Sequence, residues 1–353
     1  MFASPASETG DVHFDRRSAL ERLLENHTPS APEDITRAVY EKWSPDRQAE
    51  FNLQRATRIA AGVVIKTPQL DELDKEIRIA EAFAGRDIGR TGVIVNGPPT
   101  TGKTTAAFHA MSKAFRRHTL RYPDWKRDGH IPVVFVEVPP GTTAKGIMGR
   151  FLRFLEIPFI EKMTLEARTQ LVTQQLQRAR TSLIVIDEMQ NLARLSNGSF
   201  ESAQAIKNLL NSLKTVPLYV GFKLDDLFSH DDLGAQFAAR STMIRLDRMK
   251  SRNAEGKRNW RGLIRAFETQ FALFSHPTGT LIPYADYLWL RTGGSISALS
   301  RLLTVAALHV VDSEPDEQVI SVELLKSIKL DVETEARYDE MVQSNGNAKS
   351  DAA

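Results

Sequence analysis

The 353-residue chain contains no cysteine. That absence removes disulfides, cysteine-type zinc sites and thiol nucleophiles together. Eight histidines are present, but none falls in an H-E-x-x-H or comparable ligand spacing. No apolar run approaches the roughly 18 residues that a membrane helix needs, so no membrane partner is expected. The opening "MFASPASETGDVHFDRR" has no hydrophobic core of the kind a secretory signal carries, and the expectation is a cytosolic protein. Charge of either sign is scarce in net terms. Forty-six Lys and Arg against 44 Asp and Glu leave +2, so any nucleic-acid surface must be a local patch. Internal repeats and low-complexity blocks are also missing.

What is present is ordinary soluble composition, 42% hydrophobic and 25% charged, at a length that suggests two or three domains. Both ends are polar and weakly periodic and are expected to fray. Between them, "RSALERLLENH" and "PEDITRAVYEKW" carry apolar residues at helical spacing. From about Val64 the texture changes to short β-rich runs: "VIVN" (93–96), "VVFVEV" (133–138), "LIVI" (183–186), "LYVG" (218–221) and "MIRL" (243–246). These are apolar on both faces, the pattern of strands buried between helix layers in a parallel sheet. Phe200, Ala203, Ile206, Leu209, Leu210 and Leu213 mark an amphipathic helix between two of them. Alternating strands and helices predict a doubly wound α/β domain. Beyond Met249 only helical pattern continues, with Ser295 and Ser321 placed to start helices. The expected organisation is an N-terminal helical, partner-binding region (1–62), an α/β base domain (63–248), a helical lid domain (249–330) and a flexible tail (331–353).

"GPPTTGKTT" (97–105) fits G-x-x-x-x-G-K-[ST], directly after a predicted strand and opening a predicted helix over 104–118. In such a loop Gly97, Pro98, Pro99, Thr100, Thr101 and Gly102 curve around the phosphates at a helix N-terminus, and Gly97 and Gly102 allow the conformations that aim N–H groups at phosphate oxygens. Lys103 would reach the β- and γ-phosphates, the Thr104 hydroxyl would bind Mg²⁺, and Thr105 completes the loop. About 85 residues on, "LIVIDE" ends a predicted central strand with two acids. Asp187 would hold Mg²⁺ and Glu188 would orient or deprotonate the attacking water. A second carboxylate beside the metal aspartate favours ATP hydrolysis over phosphoryl transfer to a small molecule. Two arginines have two readings each. Arg240 is either a solvated charge at a helix end or a finger for a neighbouring subunit's γ-phosphate. Arg301, in "GGSISALSRLL", is either a lid-surface charge or a second cation reaching the nucleotide.

From about Lys66 to Ile328 the ordered set of pieces resembles the AAA+ superfamily, and within it the TniB/TnsC branch of transposition ATPases. The pieces are "KTPQLDEL", the glycine loop, "VPPGTTAKGIMGRFLRFLEIP", "IDEMQNL" with its Walker B acids, "DDLGAQFAARSTMIRL", Trp260 and "GGSISALSRLL". The resemblance implies an ATP- and Mg²⁺-dependent protein that oligomerises into a ring or helical filament on double-stranded DNA. It also implies recruitment or activation of a transposase, with a target-selection adaptor as a further partner and nucleoid association as the location. Two positions depart from the family pattern. The sensor after the fourth strand falls at Phe222 and the second-domain sensor arginine falls at Ser297, which predicts slow, switch-like hydrolysis.

Support for DNA outside the resemblance is local. Thr142, Thr143 and Lys145 follow "PPG" on a predicted loop and present two hydroxyls and an ammonium suited to phosphates. The stretch 250–265, "KSRNAEGKRNWRGLIR", is basic, and its Trp260 reads as core rather than as a base-stacking platform. No base-reading motif accompanies either, so little sequence preference is expected. Two other readings stay open at this point: a related AAA+ initiator or helicase-loader ATPase, and a non-hydrolysing, nucleotide-gated interaction protein.

Overall fold

A computed structural model describes residues 14–26, 35–62, 64–86, 91–192, 197–229, 239–251 and 253–350. The chain divides into two compact units. The first comprises Met1–Thr28, Lys66–Pro99 and Lys103–Leu246; the second comprises Pro29–Ile65, Thr100–Gly102 and Asp247–Ala353.

The first unit is built on five strands: β1 (Gly92–Asn96), β2 (Val133–Glu137), β3 (Leu183–Asp187), β4 (Val216–Gly221) and β5 (Ser241–Arg245). All pairings are parallel and the order is β2-β3-β4-β1-β5. Parallel neighbours require crossover connections, which the amphipathic helices supply. Every residue of β1 and β3 is buried, which is why these strands read as unbroken apolar runs instead of alternating ones. Register aligns the strand ends: Asn96 lies opposite Gly221 on one side and Arg245 on the other, and Asp187 lies opposite Glu137. The carboxyl ends of the strands therefore form one common edge.

Differences from the sequence reading are local. β4 starts at Val216 rather than at Leu218, because Pro217 conceals a strand start from any propensity argument. β5 occupies Ser241–Arg245, two residues earlier at its start than read. The helix after the glycine loop runs Lys103–Arg121. In the Asn197–Asn211 helix and the residues after it, Ile206, Leu209, Leu210 and Leu213 are buried as the stripe requires. The side chain of Phe200 lies outside the description.

The second unit is helical. Its core joins Trp260, Phe267 and Phe271 of the Ala254–Phe271 helix to Leu288, Leu299, Leu302 and Leu303. Side-chain caps start three of its helices: Asn253 accepts from the Gly256 N–H, Ser295 from Ala298 and Ser321 from Leu324. Trp260 is 2% exposed and donates its indole N–H to the Ala285 carbonyl, a core role as its pattern suggested. The N-terminal helical stretch divides. Helix Arg17–Asn26 belongs to the first unit, whereas helix Pro45–Ala60 belongs to the second and places Ile59 in its core. Arg55, from that helix, is buried and donates to the Ala272 carbonyl and to Gln318 Oε1.

The expected fraying of the first dozen residues lies outside the described residues. At the other end the tail is a helix, Val332–Ser350. It has no apolar stripe to betray it. Polar contacts fix it instead: Asp331 accepts from the Thr334 N–H at 3.0 Å, and Glu335 pairs with Arg291.

Candidate nucleotide site

The loop 97–105 leaves the carboxyl end of β1, tied to β4 by the Gly97 N–H donating to the Gly221 carbonyl at 3.2 Å. Thr100 (φ 62°) and Gly102 (φ 89°) adopt left-handed conformations, which turn successive N–H groups to one side of the chain. Thr101 is buried, while Thr104 and Thr105 present exposed side chains on the first turn of the Lys103–Arg121 helix. The Lys103 ammonium donates to the Pro98 carbonyl at 2.9 Å and so lies inside its own loop. Burial lowers the Lys103 pKa, and the nearby carboxylates of Glu188 and Asp187 oppose that shift. The three side chains thus share one electrostatic environment.

Asp187 ends β3 at 8% exposure. Burial pushes its pKa up to about 6. The Glu188 N–H, which donates to Asp187 Oδ1 at 2.8 Å, and the Lys103 charge offset only part of this, and the charges of Glu188 and Glu137 add to it. A buried carboxylate so poorly compensated suits a cation. Among the described residues no group of three or more His, Cys, Asp or Glu gathers around a possible metal. A Mg²⁺ ion held by one carboxylate, a hydroxyl and phosphate oxygens does not need such a group.

Glu188 has a left-handed backbone (φ 57°), uncommon for a side chain of its size. Its Oε2 accepts a hydrogen bond from the Gln190 amide, and Gln190 Oε1 accepts from the Phe222 N–H at 3.0 Å. On the other side of β4, Asn96 donates to Asp225 Oδ2 at 2.6 Å and accepts from the Leu224 N–H at 3.2 Å, while Arg245 pairs with Asp225. Sequence reasoning overlooked both amides. The one available signal was position: Asn96 is the last residue before the glycine loop, and Gln190 lies two residues past Glu188.

Arg240 is exposed in the turn before β5, and its carbonyl accepts from the Gly92 N–H that starts β1. The segment expected to be its helix, 230–238, lies outside the described residues. Arg240 therefore sits at the amino end of the sheet, with the length of β1 between it and the glycine loop. Lys145 belongs to the first turn of the Ala144–Phe154 helix and not to a loop. The reason is Thr143, whose hydroxyl caps that helix by accepting from the Gly146 N–H, with half-buried Thr142 just before it. In the basic stretch, Lys257, Arg258, Arg261 and Arg265 are exposed on the helix whose other face is core. In the second unit, Arg301 is exposed and Ser297 lies in the first turn of the Ile296–Val310 helix. Phe222, half-buried, follows β4 directly.

A family model described as "Bacterial TniB protein" matches residues 55–251, more than half of the chain. Among curated proteins no sequence relative matches. Among solved structures, the ORC2 protein of Aeropyrum pernix in its ADPNP–ADP complexes matches at TM-score 0.51 and 14% identity, over 72% of this chain and 66% of that one. The ORC1 protein of Aeropyrum pernix in complex with DNA matches at TM-score 0.53 and 17% identity, over 73% and 63%. The chain spans just under two thirds of the length of these structures. At such identities the likeness is one of fold: a parallel sheet with flanking helices, followed by C-terminal helices.

Proposed function

Because the chain belongs to the TniB family, we propose that it is an ATPase that assembles on duplex DNA and recruits or activates a transposase. One observation carries the enzymatic half: Lys103, Asp187 and Glu188 act on one another electrostatically at the carboxyl ends of β1 and β3. Backbone N–H groups of Thr100, Thr101 and Gly102, with Lys103, bind the phosphates. Thr104 and Asp187 hold Mg²⁺, which when bound neutralises charge on the β- and γ-phosphates. Glu188 aligns the attacking water and accepts its proton. Phe222 and Ser297, where the family carries sensor side chains, make turnover slow and switch-like.

The DNA half draws on the family and on the cations described above. Thr142, Lys145 and the Lys257–Arg265 face offer phosphate contacts without base-reading chemistry, so binding is ATP-dependent, weakly sequence-selective and steeply salt-dependent. The assembly is a ring or helical filament, and a target-selection adaptor is a further partner.

Two substitutions test the nucleotide site. Lys103→Ala is expected to weaken ATP binding by more than about tenfold, roughly 1.4 kcal/mol. Glu188→Gln is expected to retain ATP binding, lose turnover and prolong DNA complexes. Near-normal ATP affinity in the first, or normal turnover in the second, overturns the assignment. The partnership is tested by adding the ATP- and DNA-bound protein to an integrase-type transposase and measuring strand transfer, which should rise only in its presence.

A further inference from the structure

The Gln190 side chain spans two elements that meet at the candidate site. It stands in the short turn Met189–Leu192 after β3. Its amide N–H donates to Glu188 Oε2, and its amide oxygen accepts from the Phe222 N–H after β4. Both ends of the amide are used, each in the only sense its chemistry permits. The approach is close enough that a Cβ on Gly221 would lie 2.5 Å from Gln190 Oε1, so a glycine at the end of β4 is what admits it. Asn96 makes the matching connection from β1 to Leu224 and Asp225. The segment Phe222–Asp225 is thus bracketed by two side-chain amides. One comes from the strand that leads into the glycine loop, the other from the turn behind Asp187 and Glu188.

We propose that Gln190 is a positioning residue for ATP hydrolysis: it fixes the Glu188 carboxylate by one oxygen, leaves the other for the attacking water, and ties both to the backbone after β4. This rests on the hydrolytic reading above. Glu188 has a left-handed backbone, and the Gln190 amide holds its carboxylate by Oε2. β4 lies between β1 and β3, and the Gln190 amide links the backbone after β4 to Glu188 after β3.

Gln190→Ala removes both hydrogen bonds. Gln190→Glu keeps an acceptor for the Phe222 N–H but sets a carboxylate against Glu188. A purely structural bridge makes Gln190→Glu the milder change. A positioning role makes it at least as damaging. Steady-state turnover in the presence of duplex DNA is expected to fall about tenfold to a hundredfold in both variants, with KM and ATP affinity within about twofold of wild type. In the Glu188→Gln background, adding Gln190→Ala should lower residual turnover no further, since the two act as a unit. If Gln190→Ala fails to fold, as thermal melting would reveal, Gln190→Glu carries the test alone. Wild-type kcat in Gln190→Glu, or a loss expressed in KM alone, overturns the positioning role and leaves the hydrolytic reading standing. A wild-type protein that binds ATP and never hydrolyses it overturns both.

Discussion

Asp187 sits where water is scarce, and its charge is only partly matched in the absence of a cation. Its pKa is raised from 3.8 to about 6. Below about pH 4 the folded and unfolded chains both hold this proton. Between about pH 4 and 6 the unfolded chain releases it while the folded chain keeps it. Stability is therefore lost as pH rises through this window, and the full cost, about 3 kcal/mol as an order of magnitude, remains at pH 7. Asp187→Asn should accordingly raise the melting temperature of the nucleotide-free protein at pH 7, lose most of that advantage at pH 4, and abolish Mg²⁺-dependent turnover. Equal melting of the two proteins at both pH values would show that the carboxylate is not strained. His118 has the opposite dependence. Burial, then the charges of His130, Arg121 and Arg180, hold its pKa down near 4, so stability falls as pH drops from about 6.5 toward 4. Calorimetry of His118→Gln, which cannot charge, should show a shallower acid limb. At this scale the glycine loop and the Asp-Glu pair were legible because their chemistry demands fixed residues at fixed spacing. Gln190 and Asn96 were not, because an amide has no signature until its partners are folded beside it.

Elements were legible in proportion to how far they depend on an apolar pattern. β1 and β3, buried along their whole length, were read almost to the residue. β4 was shortened by Pro217, Lys145 was placed on a loop that Thr143 converts into a helix start, and the Val332–Ser350 helix was missed because capping and ion pairing hold it. Helix ends also decide how glycines respond to substitution. Gly294 has φ +72°, and an added Cβ would meet the Met249 carbonyl oxygen at 2.4 Å, so strain and overlap act together. Gly294→Ala should cost more than about 2 kcal/mol in denaturant unfolding. Gly85, which ends the Pro68–Ala84 helix at φ −74° with nothing within 4 Å of a Cβ, should respond in the opposite sense. Gly85→Ala is expected to stabilise by about 0.4–1 kcal/mol through the unfolded chain. A loss in the second variant equal to that in the first would remove the backbone argument.

For the whole molecule the question is whether a triphosphate is read by one chain or between two. Arg240 lies at the amino end of the sheet and the glycine loop at its carboxyl end, so a four-step strand rise of about 13 Å separates them before any side chain is counted. An Arg240 that acts on a γ-phosphate therefore acts on a neighbour's. Arg240→Ala and Glu188→Gln should each be inactive alone and regain part of wild-type turnover when mixed on DNA, since each supplies what the other lacks. Co-assembly with turnover still at background would leave Arg240 a surface charge. Duplex binding with ATP should weaken steeply with salt, and Lys145→Ala should flatten the slope without creating sequence preference. The strand order has one more consequence, in the time domain. β1, which carries the phosphate loop, pairs only with β4 and β5, the last two strands to be synthesised. At about 5–20 residues per second, the ribosome delivers β5 roughly seven to thirty seconds after β1. Until β4 emerges the nascent chain holds its phosphate-binding sequence on a strand with no partner, and β1 gains its second neighbour only when Arg245 has emerged.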